Sequence, residues 1–117
     1  MKPGQHNERI IQGADWFRRF TIPRVGFDFT GWNARMKVCS NFGTVVLTAT
    51  VSVITATQDL FVCTALIPAA DSTALDLSHA PVGRIIPLGY WDIELYLGDV
   101  ADRYVDGRME LSREATI

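Results

Sequence analysis

Apolar and polar residues alternate most cleanly over residues 45–53. Val45, Leu47, Ala49, Val51 and Val53 make one phase; Val46, Thr48, Thr50 and Ser52 make the other. A helix would scatter the apolar set around its circumference, whereas a strand gathers it on one face, so the period of two predicts a strand. Residues 32–40 repeat the pattern. Trp32, Ala34, Met36 and Val38 oppose Asn33, Arg35, Lys37 and Cys39, which predicts a half-buried strand with one wet face. Over residues 89–97, Trp91, Ile93, Leu95 and Leu97 are expected to face a core, with Tyr90, Asp92, Glu94 and Tyr96 outward. Residues 103–111 return with Val105, Met109 and Leu111 against Tyr104, Asp106, Arg108 and Glu110. Gly107 inside that run predicts a bulge or a close backbone contact.

Other segments are less regular. Residues 14–22 are rich in aromatic and β-branched residues and predict a strand that Pro23 stops. Residues 60–67 are apolar in both phases, as in a strand buried on both sides, and Gln58-Asp59 separates them from the run before. Asn41-Phe42-Gly43 reads as a turn, and residues 98–102 as a hairpin loop. Residues 68–75 are the one helix-like piece, one or two turns long, with Pro68 suited to a first helical position. Residues 76–87 read as a loop. Residues 1–8 are polar, with Pro3 and Gly4, and read as a flexible arm, leaving 9–117 as a single β-sandwich domain. Six or seven closely spaced strands with almost no helix predict an antiparallel sandwich or barrel. The Thr-Ala-Thr triplets at 48–50 and 55–57 are local and make no long repeat.

Composition narrows the function classes. A chain of 117 residues supports one domain. Its 48% hydrophobic content and net charge of -2 are those of a globular protein rather than a disordered one. Eleven Lys+Arg against thirteen Asp+Glu leave no basic footprint for nucleic acid. Cys39 and Cys63 are too few for a disulfide scaffold and lack zinc-site spacing; they read as free thiols, although their places on different predicted strands leave a bridge geometrically conceivable. The N-terminus has no apolar signal-peptide stretch, and residues 45–54 are too short and too rich in Thr and Ser to span a bilayer. A soluble protein without membrane contact is expected.

Candidate chemistry is sparse. Ser40, Ser52, Ser72, Ser78 and Ser112 lack the context of an activated nucleophile, and His6 and His79 are isolated. Asp92 and Glu94 share a strand face about 7 Å apart, a spacing that acid–base pairs use. Their flanks, Tyr90 and Tyr96, place them on a solvated exterior face, with Arg35 or Lys37 as cross-strand partners if the strands adjoin. No catalytic residue, cofactor or metal site is expected. Trp16, Arg18, Arg19 and Arg24 form a basic and aromatic cluster of the kind enriched at protein interfaces. Tyr90, Tyr96 and Tyr104 complete the candidate interface set, and could alternatively stack sugars.

Four stretches in order resemble a known family. Phe27-Asp28-Phe29-Thr30-Gly31-Trp32-Asn33-Ala34-Arg35-Met36-Lys37-Val38 is followed by Ile67-Pro68-Ala69-Ala70-Asp71-Ser72-Thr73-Ala74-Leu75. Gly89-Tyr90-Trp91-Asp92-Ile93-Glu94-Leu95 and Gly107-Arg108-Met109-Glu110-Leu111-Ser112 close the set. Together they are similar to small tailed-bacteriophage structural proteins, including the N-terminal module of siphophage upper baseplate proteins. The turn at Asn41-Phe42-Gly43 and the one after Gly98 depart from the family pattern. The resemblance implies an immunoglobulin-like β-sandwich of about seven strands with one short helical turn. It implies a non-enzymatic virion protein, made in the bacterial host cytoplasm and present in multiple copies in a symmetric assembly. The expected role is a tail adaptor that anchors fibres or spikes to the tail or neck, with other tail, neck or fibre proteins as partners. A head decoration or head-fibre base is the alternative within that class, and a carbohydrate-binding module the alternative outside it. Because no receptor-binding domain follows, a bridging role between proteins is expected.

Overall fold

The alternating segments of the sequence become the strands of a curled sheet. The computed structural model describes residues 4–77 and 83–113, which excludes His79. In chain order these residues form β1 (Gly4–Gln5), β2 (Glu8–Ile11), β3 (Trp16–Asp28), β4 (Asn33–Cys39), β5 (Val45–Ile67), α1 (Ala69–Thr73), β6 (Ile85–Leu97) and β7 (Val100–Ser112). The strand order is β1-β7-β6-β4-β5-β3, with β2 continuing β1 along β7. Pairing is antiparallel except for β1 and β2, which run parallel to β7.

The fold closes because β5 changes partner along its length. Val45 to Ala49 pair with β4, and Gln58 to Ile67 pair with β3. The sheet therefore doubles over and lays β3 against β6. Trp91 on β6 meets Trp16 and Phe20 of β3 at ring-centroid distances of 6.5 and 5.7 Å. Phe29 packs on Phe61 and Tyr104, at 5.7 and 6.1 Å. Met36, Ile93, Leu95, Met109 and Leu111 are buried between the layers. Each such side chain contributes about 1.5–3 kcal/mol of apolar burial.

Several sequence expectations are corrected. The segment expected to be a flexible arm is, over residues 4–8, largely laid along β7, with Gly4 opposite Val105 and Glu8 opposite Met109. Pro23 does not end its strand. It pairs opposite Leu60, and β3 continues through a bulge to Asp28, where Gly26 takes φ 82°. Proline is tolerated there because, among the described residues, β3 is an edge strand with no second neighbour to receive its missing N–H. The two strands expected at 45–53 and 60–67 are one, bent at Asp59, whose φ is 67°. Aspartate enters the left-handed region more readily than most residues, so Gln58-Asp59 bends the strand without breaking it. Pro68 is the N-cap of α1 rather than its first residue. The strand expected from Gly89 starts at Ile85 and contains Pro87, upstream of where β4 ends opposite Tyr90. The hairpin loop is two residues, Gly98-Asp99, between paired Leu97 and Val100.

Candidate functional site

The outer face of the β2-β7-β6-β4 sheet carries the polar phases of four strands, and cross-strand register turns them into ion pairs. Arg9 lies opposite Glu110 and reaches it at 2.9 Å. Arg35 lies opposite Glu94, and its Nε donates to the carboxylate at 2.8 Å. Arg35 also covers the Tyr96 ring, with its guanidinium carbon 4.7 Å from the centroid. Lys37 and Asp106 flank Asp92 in register, and Arg103 reaches Asp92 at 3.2 Å.

Asp92 departs from the expected solvated position. It is 8% exposed, sunk into a face that is otherwise wet. Burial pushes its carboxyl above the usual carboxylate range, while the Arg103 guanidinium pulls in the opposite direction. Two depressions meet at this residue. The larger, about 650 Å³, is bordered by Gln5, Asn7, Asn41, Tyr90, Asp92 and Arg108. The smaller, about 150 Å³, lies on the β4 side between Lys37, Val45 and Glu94.

The N-terminal strand builds one wall of the larger groove. His6 N–H donates to the Asp106 carbonyl at 2.8 Å, and Arg108 N–H donates to the Asn7 side chain at 3.1 Å. Trp91 Nε1–H donates to the His6 carbonyl at 3.0 Å. Gly107 makes this approach possible, since a Cβ there would lie 1.6 Å from the His6 carbonyl oxygen. The close backbone contact expected at Gly107 is thus the seat of the N-terminal strand. That glycine was the sequence signal for the wall, though not for the segment that forms it.

The predicted interface residues do not form one surface. Trp16 and Tyr104 are 3% and 5% exposed, so both belong to the core. Tyr104 is buried because a register shift between Ile93 and Glu94 leaves it opposite no β6 residue, and its ring turns onto Phe29. Arg18 lies over Trp16 and bonds Glu8 at 2.8 Å. Arg24 sits 4.2 Å from the Phe27 ring and donates to the Tyr104 hydroxyl. Arg19 is exposed on β3, Tyr90 borders the large groove, and Tyr96 lies beneath Arg35. With Tyr104 inside, the three tyrosines make no stacking platform.

The remaining candidates have structural partners. Asp28 accepts from the Thr30 hydroxyl at 2.6 Å and the Thr30 N–H at 3.0 Å, which holds its carboxyl below the usual range. Gly31 follows at φ 83° and turns the chain towards β4. Cys39 and Cys63 are free and buried, and burial pushes the Cys63 thiol up to about 11. Among the described residues, no group of three or more His, Cys, Asp or Glu side chains is arranged to hold a metal ion.

No protein-family model and no curated protein matches the sequence. Solved structures do match. One comes from work on multimeric cell-adhesive interactions of VGSC beta subunits. It shares 8% identity and covers 96% of this chain and 93% of its own, with a TM-score of 0.50. Another is the NK cell receptor Nkp44, at 12% identity, 97% and 100% coverage and a TM-score of 0.37. The fold is an immunoglobulin-like β-sandwich, all-β but for one short helix; the patterning predicts a sandwich or barrel, and the family resemblance implies the immunoglobulin-like form. Its parallel N-terminal strands make the sheet mixed rather than purely antiparallel.

Proposed function

We propose that this chain is a non-enzymatic docking module of a tailed-bacteriophage virion, a tail adaptor that anchors fibres or spikes to the tail or neck. The ordered motifs from Phe27 to Ser112 carry the phage assignment. The observation that carries the docking role is the outer sheet face, where the Arg9–Glu110 and Arg35–Glu94 pairs share a surface with a groove that the N-terminal strand, Asp92 and Arg103 border. Its carboxylates support binding rather than turnover. Asp92 is engaged by Arg103 and Glu94 by Arg35, so neither is a free acid–base group. Rim charges of this kind set orientation and association rate with a complementary protein surface.

Imaging of intact particles carrying the labelled protein tests the reading. Labels ringed at the tail or neck are expected. Labels spread over the head favour a head decoration or head-fibre base, and particles without label overturn the virion assignment. A carbohydrate-binding role retains one supporting observation, the exposed Tyr90 beside the Gln5, Asn7 and Asn41 amides. Glycan binding that is lost on Tyr90→Ala would select it.

A further inference from the structure

The large groove on the outer face is assembled from three separated segments. Its floor is two cross-strand rows of β6 and β7, Tyr90 opposite Arg108 and Asp92 opposite Asp106. The N-terminal strand brings Gln5 and Asn7 to the β7 side, and the turn after β4 brings Asn41 to the β6 side. At about 650 Å³ the groove has the size of a small-ligand site.

The chemistry of its lining selects among ligands. Two carboxylates directly opposite one another cost stability unless a cation intervenes. Arg103 supplies one, 3.2 Å from Asp92 and 4.0 Å from Asp106. With Arg108, the groove carries two positive and two negative groups, so it exerts no net pull on a polyanion or a polycation. Its uncharged polar groups are three carboxamides, each offering an acceptor oxygen and two N–H donors. Two of the three are placed in advance. The Asn7 side-chain oxygen accepts the Arg108 N–H at 3.1 Å, which fixes the orientation of that carboxamide. The turn that carries Asn41 is held by the Ser40 hydroxyl oxygen, which accepts the Phe42 and Thr44 N–H groups, each at 3.3 Å. Mixed donors and acceptors match hydroxyl groups, which both donate and accept. Tyr90, 43% exposed, is the one exposed aromatic ring among the lining residues, and offers an apolar face to the C–H side of a sugar. A protein segment would anchor instead in a desolvated apolar pocket, whereas this lining is polar but for that ring.

We propose that this groove binds an uncharged, hydroxyl-rich ligand, a saccharide, and that the N-terminal strand is part of the site, so that binding and the seating of that strand are linked. Gln5 and Asn7 flank His6, whose carbonyl accepts from Trp91 Nε1 at 3.0 Å in space that a Cβ on residue 107 would fill. A ligand held by Gln5 and Asn7 binds the seated strand alone and therefore stabilises it. By reciprocity, a change that unseats the strand weakens the ligand. The inference rests on the carbohydrate reading above, which it deepens, and is independent of the virion assignment.

The test screens the full chain on an array of neutral, sialylated and sulfated oligosaccharides. Titration calorimetry with the best neutral binder follows, and hydrogen exchange with and without it. Neutral glycans are expected to bind, with an affinity that barely changes with salt because no ion pair forms. Tyr90→Ala and Gln5→Ala are each expected to weaken binding by about three- to tenfold while residues 5–11 keep their exchange protection. Gly107→Ala is expected to weaken binding at least as much, although every groove side chain remains. In the wild-type chain, bound glycan is expected to slow exchange over residues 5–11, a readout that needs no variant. Exchange there unmoved by glycan, or undiminished affinity in Gly107→Ala despite faster exchange, overturns the linkage and leaves the carbohydrate reading standing. Binding to no neutral glycan, or to charged ones alone, overturns the site assignment itself.

Discussion

The two margins of the large sheet face the same physical problem and meet it differently. On one side β7 is covered by the chain's own N-terminus, seated through Gly107, the His6 carbonyl and Trp91 Nε1. On the other, β3 carries Arg18, Arg19 and Arg24, Pro23, and a register shift between Pro23 and Asp28. The covered margin depends on a few irreplaceable contacts, because a neighbouring backbone needs space as well as hydrogen-bond partners. The β3 margin is guarded by its composition instead, since charge, proline and a bulge each spoil it as a pairing edge. A covered margin is therefore visible as specific contacts, whereas a guarded one is visible as charge, proline and a bulge.

Mutations can break the covered margin while leaving the β3 margin intact. Trp91 is fully buried and serves both the interlayer core and the N-terminal strand. Trp91→Ala is expected to lower unfolding free energy by about 3–5 kcal/mol, read by denaturant titration. Gly107→Ala is more selective. Its Cβ collides with the His6 carbonyl, so a loss of about 1–3 kcal/mol is expected. Hydrogen exchange should then quicken over residues 5–11 while β4 and its β6 neighbours keep their protection.

Smaller changes sharpen the contrast from the other side. Asp59 bends β5 at φ 67° and accepts the Gly26 N–H at 2.6 Å. Asp59→Ala forfeits both, at about 1–2 kcal/mol, whereas Asp59→Asn retains both and should be nearly neutral in thermal unfolding. The smallest effect is a pH slope. Burial raises the folded-state pKa of Asp92 above its ordinary value. Its contribution to stability is therefore fully present below the unfolded-state pKa and is lost as pH rises through the raised folded-state value. Asp92→Asn should flatten stability against pH in that acidic window. An unchanged slope would show that Arg103 cancels the burial.

Much of the sheet was legible because period-two patterning is a local property. The inward sets Ala34, Met36, Val38 and Trp91, Ile93, Leu95 follow directly from alternation. The Arg35–Glu94 pair followed once β4 and β6 were neighbours. Punctuation misled where tertiary context changed its meaning. Pro23 lies on an edge and Pro87 beyond the end of β4, and neither position needs a second ladder hydrogen bond. The burial of Trp16, Tyr104 and Asp92 was not legible, because each depends on a neighbour from a distant segment or on a shift of register.

By itself the sequence determined which residues alternate, where the chain can turn, and that the stretch between Lys37 and Asp59 bears no charge. Those are properties of adjacent residues. Only the tertiary structure decided that β5 serves both layers and that the N-terminus covers β7. Pairing partners are set by long-range closure of the sheet, which no local pattern encodes.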